Sequence, residues 1–210
     1  MGCTASHDGA PADPVTVLTT IVDRAEGMAT IASILLSLTA ALTRGGMRPV
    51  GSTVEQAFDD RFGEPPAVGT GFMNRLTGAV RPTLDIALSE EMDLMARRYE
   101  LISNQFGSGF INYRCMTTTS SFGGCNIPDC SNDAWACPGV DAIFLCPGFW
   151  TGDLRTSSTL LIHEASHMIW GAVGHGARGS GGNFHHAECY ASFVADIFGL
   201  TPGTPACPVT

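Results

Sequence analysis

The chain has 210 residues, of which 44% are hydrophobic and 15% are charged, a composition typical of a globular protein that can bury its own core. Its 11 basic residues, all arginine, are outnumbered by 20 acidic residues, and the formal net charge is -9. Such an acidic chain is poorly suited to bind the phosphate backbone of a nucleic acid or an anionic membrane surface. We therefore expect no nucleic-acid partner.

The first 50 residues predict a polar arm followed by one long helix. Residues 1–13 are predicted to be a mobile arm, and Asp13-Pro14 is a typical helix start. Apolar positions at alternating spacings of three and four then define a stripe that ends before Gly45-Gly46: Leu18, Ile21, Ala25, Met28, Ala32, Leu35, Thr39 and Leu42. The 17 uncharged residues from Gly27 to Thr43 could just span a membrane, but five of them are Ser or Thr. That composition favours a core helix and no stable membrane span.

Two more helices complete a helical N-terminal region, residues 14–106. Ser52 and Glu55 form a capping-box pattern for a short helix that ends near Gly63. Residues 65–71 are predicted to be a loop, and residues 83–104 carry the apolar periodicity of a third helix.

The second half of the chain, residues 107–210, has a different pattern of apolar and polar residues. Short β-like runs at 110–116 and 142–146 precede helical patterns at 156–170 and 184–198, which a Gly-rich loop separates. The sequence therefore predicts an α+β fold that is mostly helical with a small sheet. We expect the two halves to form one compact unit.

Eight cysteines, five of them within residues 115–146, favour disulfides and an oxidising compartment. A zinc site in this run is the weaker alternative, because no Cys-x2-Cys pair is present. We therefore expect a secreted or cell-surface protein. The sequence starts without a recognisable signal peptide, and Gly2-Cys3 is compatible with a lipid anchor at Cys3.

The most specific pattern is His163-Glu164-Ala165-Ser166-His167, a His-Glu-x-x-His motif in an apolar helical stretch. Two histidines four residues apart project from one helix face, so both imidazoles can bind one Zn²⁺. The glutamate between them can act on water held by the metal. With the histidine and glutamate content of this chain, a chance match is expected only about 0.007 times.

A catalytic zinc site takes three protein ligands and keeps one position open, so a third ligand must come from elsewhere. His175 lies eight residues after His167 between two glycines that allow the chain to turn back. Glu188 lies 21 residues after His167, a separation like that in thermolysin-type peptidases. The weaker candidates are His185, His186 and Asp196.

Three stretches resemble the deuterolysin-like zinc endopeptidases (aspzincins), which include the peptidyl-lysine metalloendopeptidases. Residues 142–150 resemble the family's apolar strand that ends in Cys-Pro-x-Phe, residues 160–167 its zinc helix, and residues 187–193 the helix that follows. The resemblance covers about residues 110–199. It implies a secreted, disulfide-bonded, zincin-like metallopeptidase that uses Zn²⁺ and acts on proteins or peptides.

The chain departs from the family at the third ligand. The family supplies an Asp from a Gly-Thr-x-x-Asp-x-x-Tyr-Gly loop, whereas no Asp or Tyr lies between His167 and Glu188. The resemblance therefore assigns the ligand role to His175, which falls nearest that position. Where the family has Asn-Ala-Asp-x-Tyr, this chain has His186-Ala187-Glu188-Cys189-Tyr190, which implies that Glu188 and Tyr190 belong to the substrate pocket.

These patterns predict a zinc-dependent endopeptidase in which Glu164 is the general base for a metal-activated water. One alternative is a disulfide-stabilised binding protein with a vestigial zinc site, because the family's Asp and Tyr are missing. Another is a zinc hydrolase that cleaves a non-protein amide.

Overall fold

The computed structural model describes residues 9–116, 119–171, 182–201 and 207. Over these ranges the protein is α+β and mostly helical, as predicted. The helices are α1 (Pro14–Arg44), α2 (Thr53–Phe62), α3 (Leu84–Gly107), α4 (Leu154–Trp170) and α5 (Ala187–Ile197). The strands are β1 (Ala67–Val68), β2 (Gly71–Met73), β3 (Val80–Arg81), β4 (Asn112–Cys115), β5 (Ser120–Phe122), β6 (Cys125–Ile127), β7 (Ala134–Ala136) and β8 (Ala142–Leu145). The predicted anchor at Cys3 lies outside the described residues.

Helix starts follow local capping chemistry. The Asp13 side chain accepts a hydrogen bond from the Thr16 N–H at the start of α1, and Ser52 accepts one from the Glu55 N–H at the start of α2. The capping box at Ser52 is only half formed, because the Glu55 carboxylate accepts from the Gly51 N–H at 2.9 Å and not from Ser52 itself.

The buried stripe of α1 differs from the predicted stripe at its C-terminal end. The predicted positions Leu35 and Leu42 are not buried, whereas Leu36, Ala40 and Thr43 are. The remaining predicted positions are buried as expected: Leu18, Ile21, Ala25, Met28, Ala32 and Thr39. Leu42 is 40% exposed, which corrects its predicted core position. The cause is the helical repeat of 3.6 residues, which drifts steadily away from a pattern written with alternating threes and fours.

Helices α1 and α3 pack side by side in antiparallel orientation. The Thr30 and Ser103 hydroxyls hydrogen-bond at 2.7 Å, and Arg44 pairs with Asp93 further along. By length and composition α1 could cross a membrane, with 39% of its most apolar window buried in the protein; core helices can meet the same criterion.

Two small sheets on the surface were not predicted. Strands β1, β2 and β3 form an antiparallel sheet, of which β1 and the start of β2 lie in the predicted loop over residues 65–71. Strands β5 and β6 form a hairpin. Strands of two or three residues carry too few positions for a period-two pattern to be recognised.

The third sheet has the order β4-β8-β7 and lies beside α4. Its central strand β8 is fully buried, and it pairs in parallel with β4 and antiparallel with β7. Strand β7 therefore forms one edge of this sheet. That edge faces helix α4.

Three disulfides are present among the described residues, in agreement with the predicted cysteine chemistry. Cys125–Cys137 and Cys130–Cys146 fasten the segment between β5 and β8, and Cys189–Cys207 joins α5 to the end of the chain. One continuous hydrophobic core runs from α1 through α3 and α4 to α5. The predicted N-terminal helical region and the region that carries the zinc motif thus share their core.

Candidate metal centre

Helix α4 carries the His-Glu-x-x-His motif near its C-terminal end. Asp153 starts this helix by accepting hydrogen bonds from the N–H groups of Arg155 and Thr156. Gly171 ends it in the left-handed conformation, with φ of 64°, which glycine adopts without the steric cost that other residues incur. The motif therefore lies on a rigid element with a defined end.

The two histidine side chains converge. The Nε2 atoms of His163 and His167 are 3.1 Å apart, and the ring planes are nearly perpendicular. Two nitrogens at about 2.05 Å from one tetrahedral zinc would be separated by about 3.3 Å. The pair therefore fits the ligand spacing of a zinc ion, and without a metal the same approach requires one Nε2 to be protonated and to donate to the other.

The third ligand is not found among the described residues. Within them, no three His, Cys, Asp or Glu side chains are grouped so that they could hold a metal ion. Glu188, the alternative ligand, does not complete a set with the two histidines there. The primary candidate, His175, lies outside the described residues.

Glu164 is buried next to the histidine pair. Burial raises the pKa of its carboxyl group to about 8; the Ala136 N–H, which donates to the carboxylate, opposes this shift, and the charge of Glu188 adds to it. One Glu164 oxygen lies 3.9 Å from His163 Nε2. The Glu164 carboxyl group thus lies close to the histidine pair and is held toward β7.

A small cavity of about 120 Å³ opens beside Glu164 and His167. Its other described walls are Asn132 and the β7 residues Ala134, Trp135 and Ala136. The edge strand of the main sheet therefore forms one side of the cavity, and the motif helix forms the other. Sequence reasoning did not identify this strand, because three residues between two disulfide-bonded segments give no periodic signal.

Glu188 and His186 lie close to each other in the interior. Glu188 is 2% exposed, and one of its carboxylate oxygens is 4.0 Å from His186 Nδ1. The negative charge of Glu188 contributes to the raised pKa of Glu164, but Glu188 is not among the described residues that line the cavity. The expected place of Glu188 in a substrate pocket therefore stays a prediction.

Tyr190 lies in an aromatic core and also does not line the cavity. It is fully buried against Phe62, Tyr99 and Trp170, and its hydroxyl donates to the Phe184 carbonyl at 2.9 Å. Burial raises the pKa of this hydroxyl to about 12. These contacts place Tyr190 in the aromatic core, and its expected place in a substrate pocket stays a prediction.

Arg98 was not identified from the sequence, although it connects three parts of this region. Its guanidinium donates to the Phe184 carbonyl at 2.7 Å and to the Tyr190 hydroxyl, and it lies 5.4 Å from the centre of the Trp170 ring. Helix α3 thereby supports the last residue of α4. A lone arginine in a helix gives no signal for such long-range contacts.

The weaker ligand candidates have other surroundings. Asp196 forms a two-bonded ion pair with Arg61, at 2.5 and 2.8 Å. Partial burial, and then the charge of Arg98, lower the pKa of His185. Among the described residues neither takes part in a metal-binding group.

No protein-family model matches the chain, and comparison with curated proteins gives no significant match.

Proposed function

We propose that this protein is a secreted zinc-dependent endopeptidase. The observation that carries the proposal is the 3.1 Å approach of His163 Nε2 to His167 Nε2 beside the buried carboxyl group of Glu164. Both the spacing and the nitrogen donors suit zinc. When bound, zinc acts as a Lewis acid and lowers the pKa of the water that it holds.

Glu164 is the general base in this proposal. Its carboxylate takes a proton from the attacking water and later delivers a proton to the leaving amine. The Ala136 N–H holds the carboxylate toward β7, so the base faces the cavity and not the interior of the helix bundle. Burial raises the proton affinity of this carboxylate, which favours the first of these two steps.

The edge strand supports a peptide as substrate. Among the described strands, β7 pairs only with β8, and residues 134–136 line the cavity beside Glu164. An extended peptide can add to such an edge through main-chain hydrogen bonds, which would bring one of its carbonyl groups next to the histidine pair. Three disulfides suit a protein that works outside the cell.

Hydrolysis of a denatured protein by the wild-type chain and by Glu164→Gln tests the proposal. Loss of the base should lower kcat by at least about 100-fold, whereas zinc content should stay the same because Glu164 is not a ligand. Thr151→Ala, at an exposed position away from the cavity, is the control and should retain full activity. Equal activity of Glu164→Gln and wild type contradicts the proposal, and zinc binding without any hydrolysis in the wild type favours the binding-protein alternative.

A further inference from the structure

A second pocket lies at the opposite end of the motif helix. It has a volume of about 350 Å³ and lies between α1, the first turn of α4 and the residues after α5. Its walls include Arg24, Gly27, Ile31, Arg155, Phe198 and Leu200. Arg155 precedes His163 by eight residues, or about 12 Å along the helix, so this pocket is separate from the candidate metal centre.

The pocket combines apolar walls with two exposed arginines. Among the ten arginines in the described ranges, five pair with carboxylates, Arg98 bonds to Phe184 and Tyr190, and Arg114 stacks on Phe122. The three with no such side-chain partner within those ranges are Arg24, Arg97 and Arg155. Two of these three line this one pocket, in a chain with a large excess of acidic residues.

Direct helix contact brings the two arginines to the same place. The Ser158 hydroxyl donates to the Ile21 carbonyl at 3.1 Å, where α4 crosses α1. Arg155 lies one turn before Ser158, Arg24 lies one turn after Ile21, and both face the pocket. The Asp153 carboxylate, two residues before Arg155, already accepts hydrogen bonds from the Arg155 and Thr156 N–H groups as the α4 N-cap.

We propose that this pocket binds a small carboxylic acid with an apolar chain, in the size range of a medium-chain fatty acid. The arginines would bind the carboxylate, because guanidinium groups are well suited to that anion. Ile31, Phe198 and Leu200 would cover the chain. The volume is at the lower end of the range for ligand pockets, which suits about ten non-hydrogen atoms. The proposal does not depend on the peptidase proposal.

Calorimetric titration of the full chain with octanoate tests this inference. We expect one saturable site, with at least about tenfold weaker binding of acetate, which lacks the apolar chain, and of 1-octanol, which lacks the charge. A short peptide with a C-terminal Leu and a free carboxylate is a second probe. Tighter binding of octanoate identifies a fatty acid as the ligand, and tighter binding of the peptide identifies a peptide terminus with the same chemistry.

Gly27 provides a variant that fills the pocket. No atom lies within 4 Å of a Cβ built at this helical position, so a larger side chain can be added without a clash at its base. Gly27→Leu should abolish octanoate binding, and Gly27→Ala should retain it within about threefold. Both changes improve helix propensity, so both variants should fold.

Arg24→Gln and Arg155→Gln should each weaken octanoate binding about tenfold, and Arg97→Gln, the matched control outside the pocket, should leave it unchanged. No saturable octanoate binding overturns the inference. Binding that is the same in wild type, Gly27→Leu and the two arginine variants also overturns it, because the carboxylate would then bind elsewhere, for example at the metal centre.

Discussion

Arg75 shows how one side chain can hold several elements together. Its guanidinium pairs with the fully buried Glu91 of α3 at 2.6 Å and donates to the carbonyls of Phe62 and Gly63 at the end of α2. It also lies 4.9 Å from the centre of the Phe184 ring, just before α5. Arg81 and Glu90, by contrast, form an ion pair at 2.8 Å whose side chains are 37% and 31% exposed to solvent.

The two ion pairs should therefore differ in their contribution to stability. Arg75→Met leaves Glu91 as a buried charge without its cation and should lower the free energy of unfolding by about 3 to 5 kcal/mol. Arg81→Met should lower it by less than about 1 kcal/mol, because solvent screens that pair. Urea denaturation of both variants measures the difference, and equal losses would show that burial of Glu91 is unimportant.

The two candidates for the third zinc ligand, His175 and Glu188, can be distinguished by substitution. His175→Ala should weaken zinc binding by more than about 100-fold, because it removes a direct ligand, whereas Glu188→Gln should weaken it less than about tenfold. Zinc titration with a competing chelator measures both affinities. A larger loss in Glu188→Gln would replace the assignment to His175 with a thermolysin-like arrangement.

At this scale the sequence predicts some site residues and not others. His163, Glu164 and His167 can be recognised because one helical turn brings residues four apart onto the same face. Ala136 cannot be, because its contact with Glu164 arises only when β7 pairs with β8 and α4 packs beside it. The burial of Tyr190 likewise depends on Phe62 and Tyr99, which are distant in sequence.

At the scale of elements, helices were predicted well and strands poorly. The starts of α1 and α2 depend on Asp13 and Ser52, which cap locally, so the sequence alone indicates them. Among the β elements, the runs at β4 and β8 were recognised by their apolar, branched and aromatic residues. The strands of the other two sheets are formed only by pairing with neighbouring strands, and their residues show no comparable sequence pattern.

Helix α2 contains a carboxyl group with an unfavourable environment. Burial, and then the charge of Glu55, raise the pKa of Asp59 to about 6, although Arg48 opposes the shift. Asp59 Oδ1 is buried and has no hydrogen-bond partner among the described residues. Because the folded pKa exceeds the unfolded value of 3.8, this group makes the protein less stable as the pH rises from about 4 to 6.

Asp59→Asn should therefore stabilise the protein above pH 6, by about 1 kcal/mol after allowance for solvent screening, and the gain should shrink towards pH 4. Asp23→Asn, at an exposed position of α1, is the control and should change stability by less than about 0.5 kcal/mol at either pH. Urea denaturation at pH 4 and pH 8 measures the effect. A gain that is the same at both values would mean that ionisation of Asp59 is not its source.

At the scale of the whole molecule, the N-terminal helices form the support for the candidate metal centre. Helix α4 packs on α1 through the bond from Ser158 to Ile21, and Arg98 of α3 contacts Trp170 at the other end of α4. The shared hydrophobic core holds α4 in place at both ends. Strand β7 forms the wall of the cavity opposite Glu164 and His167 of α4. We infer that the N-terminal helices are needed to orient the site.

Zinc content is the most direct test of the central claim, that His163 and His167 bind a metal ion. Protein purified without chelator, incubated with zinc and freed of excess metal should contain about one zinc per chain by elemental analysis. His163→Ala with His167→Ala should contain none, and Arg97→Gln should contain as much as wild type. Absence of zinc from the wild-type protein, or full zinc content in the double histidine variant, would contradict the claim.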